Sequence, residues 1–328
     1  MKKITIKAMA VFLVLGTVTG CSKDDSGTPV DNNRIPQVLK DNFSLSVMET
    51  VLSRSSLREQ LYNPGPYTVL APSDEAFQKA GYGTPAAILA AGQSFIGRIA
   101  NYHVLEGNYD LGKMPFLFNQ EIQSYSGKLY VTRWIKNNDT VLTVNGSRLL
   151  SVGIQASNGF VQVIDRVLAP YQHELLADAL AAENDLTLFY QAVQRAGMLD
   201  LLKGKGPFTV YAANNAAMKA YGYTTVQAIN EADPAVLAAL LQYHIAADRR
   251  FVNDYILTTG NSGVSTQGML NNNTVMVTLV PNSSQPGSYS GITLKGTGNT
   301  SAVTLLRQDL ITGNGVLHIT DQVLRINQ

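Results

Sequence analysis

The chain repeats itself. At an offset of 141, "GPYTVLAPSDEAFQKAGYGTPAAI" (65–88) and "GPFTVYAANNAAMKAYGYTTVQAI" (206–229) agree at 11 of 24 positions, among them Gly65/Gly206, Pro66/Pro207, Thr68/Thr209, Val69/Val210 and Gly81/Gly222. The same offset lays "FSLSVMETVLSR" (43–54) on "NDLTLFYQAVQR" (184–195), and Tyr102-His103 on Tyr243-His244. A second anchor pairs "GFVQVIDRVL" (159–168) with "GVLHITDQVL" (315–324) at offset 156, so the later copy has gained 15 residues before its closing strand. Units of this length can each close a core, so the duplication predicts two domains and not a solenoid. The boundary falls near 169–170, where a proline follows the closing strand.

Each copy reads in the same order. Ser44 and Asp185 precede apolar-periodic helices and are good N-cap residues, with Leu45, Met48, Val51 and Leu52 following at helical spacing. "YTVLAP" and "FTVYAA" read as short buried strands after a Gly-Pro turn. Ser73 and Asn214 then cap helices that bury Phe77 or Met218, and a further helix leads into each Tyr-His pair. The remainder is strand-rich. Helices first and strands later predict an α+β layered arrangement.

These residues carry a resemblance. "GPYTVLAPSDEAF", "NYHVLEGNY" and "GFVQVIDRVLAP" are similar to the first block, the central Tyr-His and the closing block of fasciclin (FAS1) domains. The resemblance covers 35–170 and again 171–328. It implies two tandem modules, each a wedge-shaped β-sandwich flanked by helices, with a role in adhesion and no shared enzymatic activity. The second copy departs from the pattern at Ala213, Ala216 and Met218. Its extra length is read as a loop insertion near 281–301.

The amino terminus predicts where the chain works. "MKKITIKAMAVFLVLGTVTGC" has Lys2, Lys3 and Lys7 ahead of an apolar run from Ala8 to Val18, then small residues and a cysteine. That is the pattern of a secretory signal over 1–20. Its "VTGC" ending resembles a bacterial lipobox, with Cys21 as lipid acceptor. Cys21 is the only cysteine, so it has no intramolecular disulfide partner. The following "SKDD" resembles the export tag of surface lipoproteins in Bacteroidetes-type bacteria, and 21–34 reads as a flexible tether. These features predict a chain anchored in the outer membrane by lipid alone and exposed on the cell surface. The chain has 25 Lys and Arg against 24 Asp and Glu; loss of 1–20 removes three lysines and no acid, leaving 22 against 24. A nucleic-acid partner calls for a basic excess that this balance lacks.

Chemistry is sparsely written. The four histidines, His103, His173, His244 and His318, never stand three or four residues apart, so no local metal cluster forms, and no cofactor fingerprint occurs. "HELL" (173–176) is half of a metalloprotease signature. Catalysis would need residues assembled from distant parts of the chain.

Tyr102, His103, Tyr243 and His244 have two readings: a partner contact, to which the resemblance points, or a ring pair at a helix-to-strand junction that satisfies backbone groups left free there. Retention in diverged surroundings favours the second. Asp165 and Asp321, in equivalent slots, likewise read as acceptors of backbone hydrogen bonds before partner contacts. For ligand contact the candidates are aromatic. Tyr130 and Trp134 share one strand face with Thr132, which either opens to a ligand or packs beneath a helix, and Tyr289 lies in the 281–301 stretch. The expected function is a non-enzymatic adhesion or protein-interaction lipoprotein. Its partner is an extracellular or surface protein, or a glycan; the alternative is a glycan-binding accessory of a surface nutrient-uptake system.

Overall fold

The computed structural model describes residues 33–151 and 153–326; the signal segment 1–20, Cys21 and all but the last two residues of the tether lie outside the described residues. The first copy holds two four-stranded sheets. One runs in the order β2 (Val104–Glu106), β1 (Tyr67–Pro72), β8 (Gly159–Ile164), β7 (Ile154–Ala156); the other runs β3 (Gln120–Ser124), β4 (Gly127–Lys136), β5 (Asp139–Val144), β6 (Ser147–Arg148). The second copy joins the corresponding strands into one seven-stranded sheet. Its order is β10 (Ile245–Ala246), β9 (Phe208–Ala213), β15 (Gly315–Thr320), β14 (Val303–Thr312), β13 (Tyr289–Lys295), β12 (Thr274–Pro281), β11 (Val264–Gly268). The difference lies in β14. It pairs with β13 at its start and with β15 along its length through two irregularities of register, whereas β6 and β7 are separate short strands.

In each copy the first strand runs parallel to the last, β1 with β8 and β9 with β15, and all four are buried or nearly so along their length. Burial on both faces is why these strands read as apolar runs and do not alternate with polar residues. Val69, Ala71, Val161 and Val163 point to the helices, packing with Met48, Val51, Phe77 and Ile99. Leu70 and Ile164 point the other way, onto Leu129, Val131 and Val144 of the second sheet. Val210, Ala212, Leu317 and Ile319 repeat the helix-facing set, while Tyr211 faces Val275, Val277 and Leu294. Each valine, leucine or isoleucine among them contributes about 1.5–3 kcal/mol on burial, and one strand serves two cores. Helices on one side and sheets on the other make the fold α+β.

Two expectations change. Ser44 and Asp185 are not N-caps; each sits inside a one-turn 3-10 helix, Phe43–Leu45 or Asn184–Leu186. The amides left free at the start of helix Ser46–Ser53 are met from elsewhere. Asp74 Oδ1 accepts from Val47 N at 2.9 Å, and its Oδ2 accepts from Ser46 Oγ at 2.7 Å. Asn215 repeats this in the second copy, accepting from Leu188 N at 3.0 Å. A side chain distant in sequence thus ties two helices together, where a local cap would have served only one. Ser73 and Asn214 do cap, accepting from Ala76 N at 3.1 Å and Ala217 N at 2.8 Å. The 281–301 stretch is not all loop: it contains β13, which pairs along β12, leaving 282–288 and 296–302 as connections. Alternating burial on β13 explains the polar composition, since Ile292 and Leu294 point into the core and Tyr289 packs partly against its edge. No helix among the described residues is long and apolar enough to cross a membrane.

Candidate functional site

The two Tyr-His pairs lie inside their copies. His103 ends helix Gln93–His103; its Nδ1–H donates to Ile99 O at 2.8 Å, and its Nε2 accepts from Leu168 N at 3.0 Å. His244 does the same with Leu240 O at 2.9 Å and Leu324 N at 3.0 Å. Because the leucine amides can only donate, both rings are the neutral Nδ1–H tautomer. Burial pushes both imidazoles down to about 4, against the pull of the backbone hydrogen bond. Each ring therefore fastens a helix end to the segment leaving the closing strand. Tyr102 Oη donates to Lys128 O at 3.0 Å and Tyr243 Oη to Thr274 O at 2.8 Å, each at the start of an equivalent strand.

Asp165 Oδ1 accepts from Arg148 N at 2.8 Å and Ser147 Oγ at 2.9 Å; Asp321 Oδ1 accepts from Thr304 N at 2.7 Å. A further duplicated pair, missed in the sequence, stands one residue before the closing block. Asn158 bonds Ile35 N, Leu61 O and Asn63 O, while Asn314 bonds Leu176 N, Leu202 O and Gly204 O. Its signal was an Asn-Gly dipeptide recurring at offset 156.

The copies meet along a seam built from residues that are not duplicated. Helix Val252–Thr258 of the second copy lies against β4 of the first. Two carboxylates meet its first amides: Asp254 Oδ2 accepts from Phe251 N at 2.9 Å and Asp309 Oδ1 from Val252 N at 2.8 Å. Each carboxylate also reaches across. Asp254 accepts from Thr132 Oγ1 at 3.1 Å and Asn119 Nδ2 at 3.2 Å, and Asp309 pairs with Arg166 at 3.1 Å. At the far end of the helix, the Lys136 ammonium donates to Thr259 O, where a cation complements the helix dipole. Burial pushes the Asp254 carboxyl up to about 6, opposed by the Phe251 amide, Asn119, Arg250 and Thr132.

Beside the helix, Arg249 donates to Thr312 O (3.2 Å), Gly313 O (2.9 Å) and Gly315 O (2.8 Å), and its guanidinium lies 3.8 Å from the centre of the Tyr130 ring. Tyr130 Oη donates to Gly313 O at 3.3 Å, and the ring packs with Phe251 and Val316.

Of the two readings of the β4 aromatics, Tyr130 follows the packed one. Tyr130 is 5 % exposed and Thr132 is buried, because the second copy covers that strand face. Alternation identifies the face; it does not say what lies on it. Trp134 is half-buried against Phe118, with ring centres 4.6 Å apart. Tyr289, also half-buried, lines a cleft of about 770 Å³ between the copies. One wall is the turn after β4 together with β5; the other is helix Val252–Thr258 and the β12–β13 connection. Among the described residues no group of three or more His, Cys, Asp and Glu side chains is arranged to hold a metal.

Duplicated α+β modules with matching internal staples, joined by an unduplicated seam, define a tandem two-module protein. The Fasciclin domain family matches residues 43–170 and 184–326, and the chain belongs to that family. Human periostin is 28 % identical over a match covering 82 % of this chain and 29 % of periostin. Human stabilin-1 is 31 % identical over 52 % of this chain and 6 % of stabilin-1. The chain thus spans less than a third of the length of either relative. A FAS1 domain pair from the insect cell adhesion molecule Fasciclin I aligns with 85 % of this chain and 95 % of that one, at 17 % identity and a TM-score of 0.41.

Proposed function

We propose that this chain is a non-enzymatic adhesion and protein-interaction lipoprotein, held to the outer membrane by lipid on Cys21 and facing outward. The observation that carries the reading is the double match to the fasciclin family over almost all of the described chain, since the resemblance implies adhesion. The duplicated tyrosines, histidines and aspartates support it, being spent on internal hydrogen bonds; contact then falls to the loops, strand edges and cleft. Beads coated with the mature chain are expected to bind intact cells from the same culture, and protease shaving of those cells should abolish the binding. Beads that bind no better than albumin-coated ones would sink the reading. Cys21→Ala is expected to move the chain from the membrane to the soluble fraction; unchanged membrane retention refutes the anchor. A glycan-binding accessory role loses Tyr130 as a stacking platform, and its remaining aromatic support is the half-buried Trp134 and, in the cleft, Tyr289.

A further inference from the structure

Gln162 stands on β8 between Val161 and Val163, which turn toward the helices. Its own side chain lies on the opposite face, where it lines the cleft between the copies. The residue is 2 % exposed, and its Oε1 has no hydrogen-bond partner. Leaving such a carbonyl unmet is costly, so the fold normally supplies a donor. The second copy does so. At offset 156 the same strand position is His318, whose Nδ1 accepts from Asp309 N at 3.2 Å and whose Nε2 lies 3.1 Å from Arg250 O. The first copy leaves an acceptor open at the one place where its strand underlies the cleft.

The rest of the cleft narrows what can meet that acceptor. Its volume of about 770 Å³ lies in the range of ligand sites, ~300–1,000 Å³. Its charges are largely engaged within the protein: Lys136 with Thr259 O, Arg166 with Asp309, Asp165 with Arg148 N, and Asp110 with Lys113. A polyanion or polycation therefore finds little unpaired charge of the opposite sign. Asp139 and the Arg148 guanidinium add one charge of each sign, and the rest is amide and ring. Asn137, Asn282, Gln285 and Gln308 line the walls, with Tyr289 and Leu150 offering apolar faces. Amides with an aromatic face suit an uncharged, hydroxyl-rich ligand whose rings carry C–H faces.

We propose that the cleft is a carbohydrate site in which a neutral oligosaccharide lies between the copies, one hydroxyl donating to Gln162 Oε1 and one sugar face resting on Tyr289. This rests on reading the chain as an interaction protein and gives that reading a ligand class.

The test is calorimetric titration of the full mature chain with hexasaccharides from dextran, xylan and mannan, with hyaluronan hexasaccharide as acidic probe and a pool of extended peptides. At least one neutral probe is expected to bind. Gln162→Met and Tyr289→Ala should each weaken it about tenfold or more, while Trp134→Ala leaves it unchanged. Gln162→Met should also keep or raise the thermal midpoint, because it removes an unmet carbonyl. The proposal falls if no neutral probe binds, if only hyaluronan or peptide binds, or if binding ignores both substitutions. A lowered midpoint in Gln162→Met, with binding lost, marks a structural residue and also overturns it. Bead adhesion run in parallel separates the two readings: adhesion without glycan binding removes the cleft assignment alone, and glycan binding without adhesion removes the adhesion reading alone.

Discussion

Just after the Tyr-His pair the two copies part company. In the first, Asp110 caps a single 3-10 turn, Leu111–Lys113, and only Leu111 is buried. In the second, the matching positions begin helix Val252–Thr258, whose first four residues are all buried. Asn108 of the first copy is exposed; its counterpart Arg249 is buried among three carbonyls and an aromatic ring. Positions that stayed alike hold each copy together, and positions that diverged hold the copies to each other. A duplicated module must keep its core residues in both places, whereas a seam needs two complementary faces and so requires the copies to differ.

The largest test of that contrast compares Arg249→Ala with Asn108→Ala. Removing the guanidinium deletes a desolvated cation–π contact and three buried hydrogen bonds, a loss of about 3–5 kcal/mol. Asn108→Ala should change stability by less than about 0.5 kcal/mol. Urea unfolding reads both, and Arg249→Ala should further split one transition into two as the copies separate. Equal effects would break the contrast.

That division also governs how much of the molecule was legible. The repeat, the α+β class and the strands β1, β8, β9 and β15 follow from apolar runs bounded by turns, which sequence displays directly. Asn158 and Asn314 were equally available as a repeated dipeptide. The caps from Asp74 and Asn215 were not, because they come from distant segments that only the fold brings near. The choice between an open and a covered Tyr130 stayed undecided for a related reason: strand alternation is local, and the cover over that face is a helix more than 100 residues later, Val252–Thr258. The open acceptor of Gln162 becomes visible only when its counterpart His318 is seen to be satisfied.

The histidines sharpen the likeness where Arg249 sharpens the difference. Both rings fall from an ordinary 6.5 to about 4 on burial, so the unfolded chain binds protons that the folded chain refuses. Stability they support is complete above pH 6.5 and drains away as the pH falls through 4. Lowering the pH from 7.5 to 5 should cost about 2 kcal/mol for each ring. His103→Gln and His244→Gln should each remove the same share of that acid sensitivity, measured by urea midpoints across the range. Unequal shares would mean that the two copies do not use the pair alike.

Asp254 gives the smallest and most local effect, with the opposite sign. Its carboxyl rises from 3.8 to about 6 because the seam buries it, so between those values the folded protein holds a proton that the unfolded chain has lost. The associated stability is present below 3.8 and is lost as the pH rises through 6, so acidification to pH 5 strengthens the seam by about 1 kcal/mol. Thr132, Asn119 and the Phe251 amide face the carboxyl directly, and Arg250 is the charged group that favours ionisation; their pull is what keeps the value from rising further. In Asp254→Asn this compensation is gone, and the variant should lose about 1 kcal/mol more than the parent between pH 7.5 and 5. Parallel pH profiles for parent and variant would show that the seam takes up no proton. The acid response would then be left to the buried histidines, His318 among them.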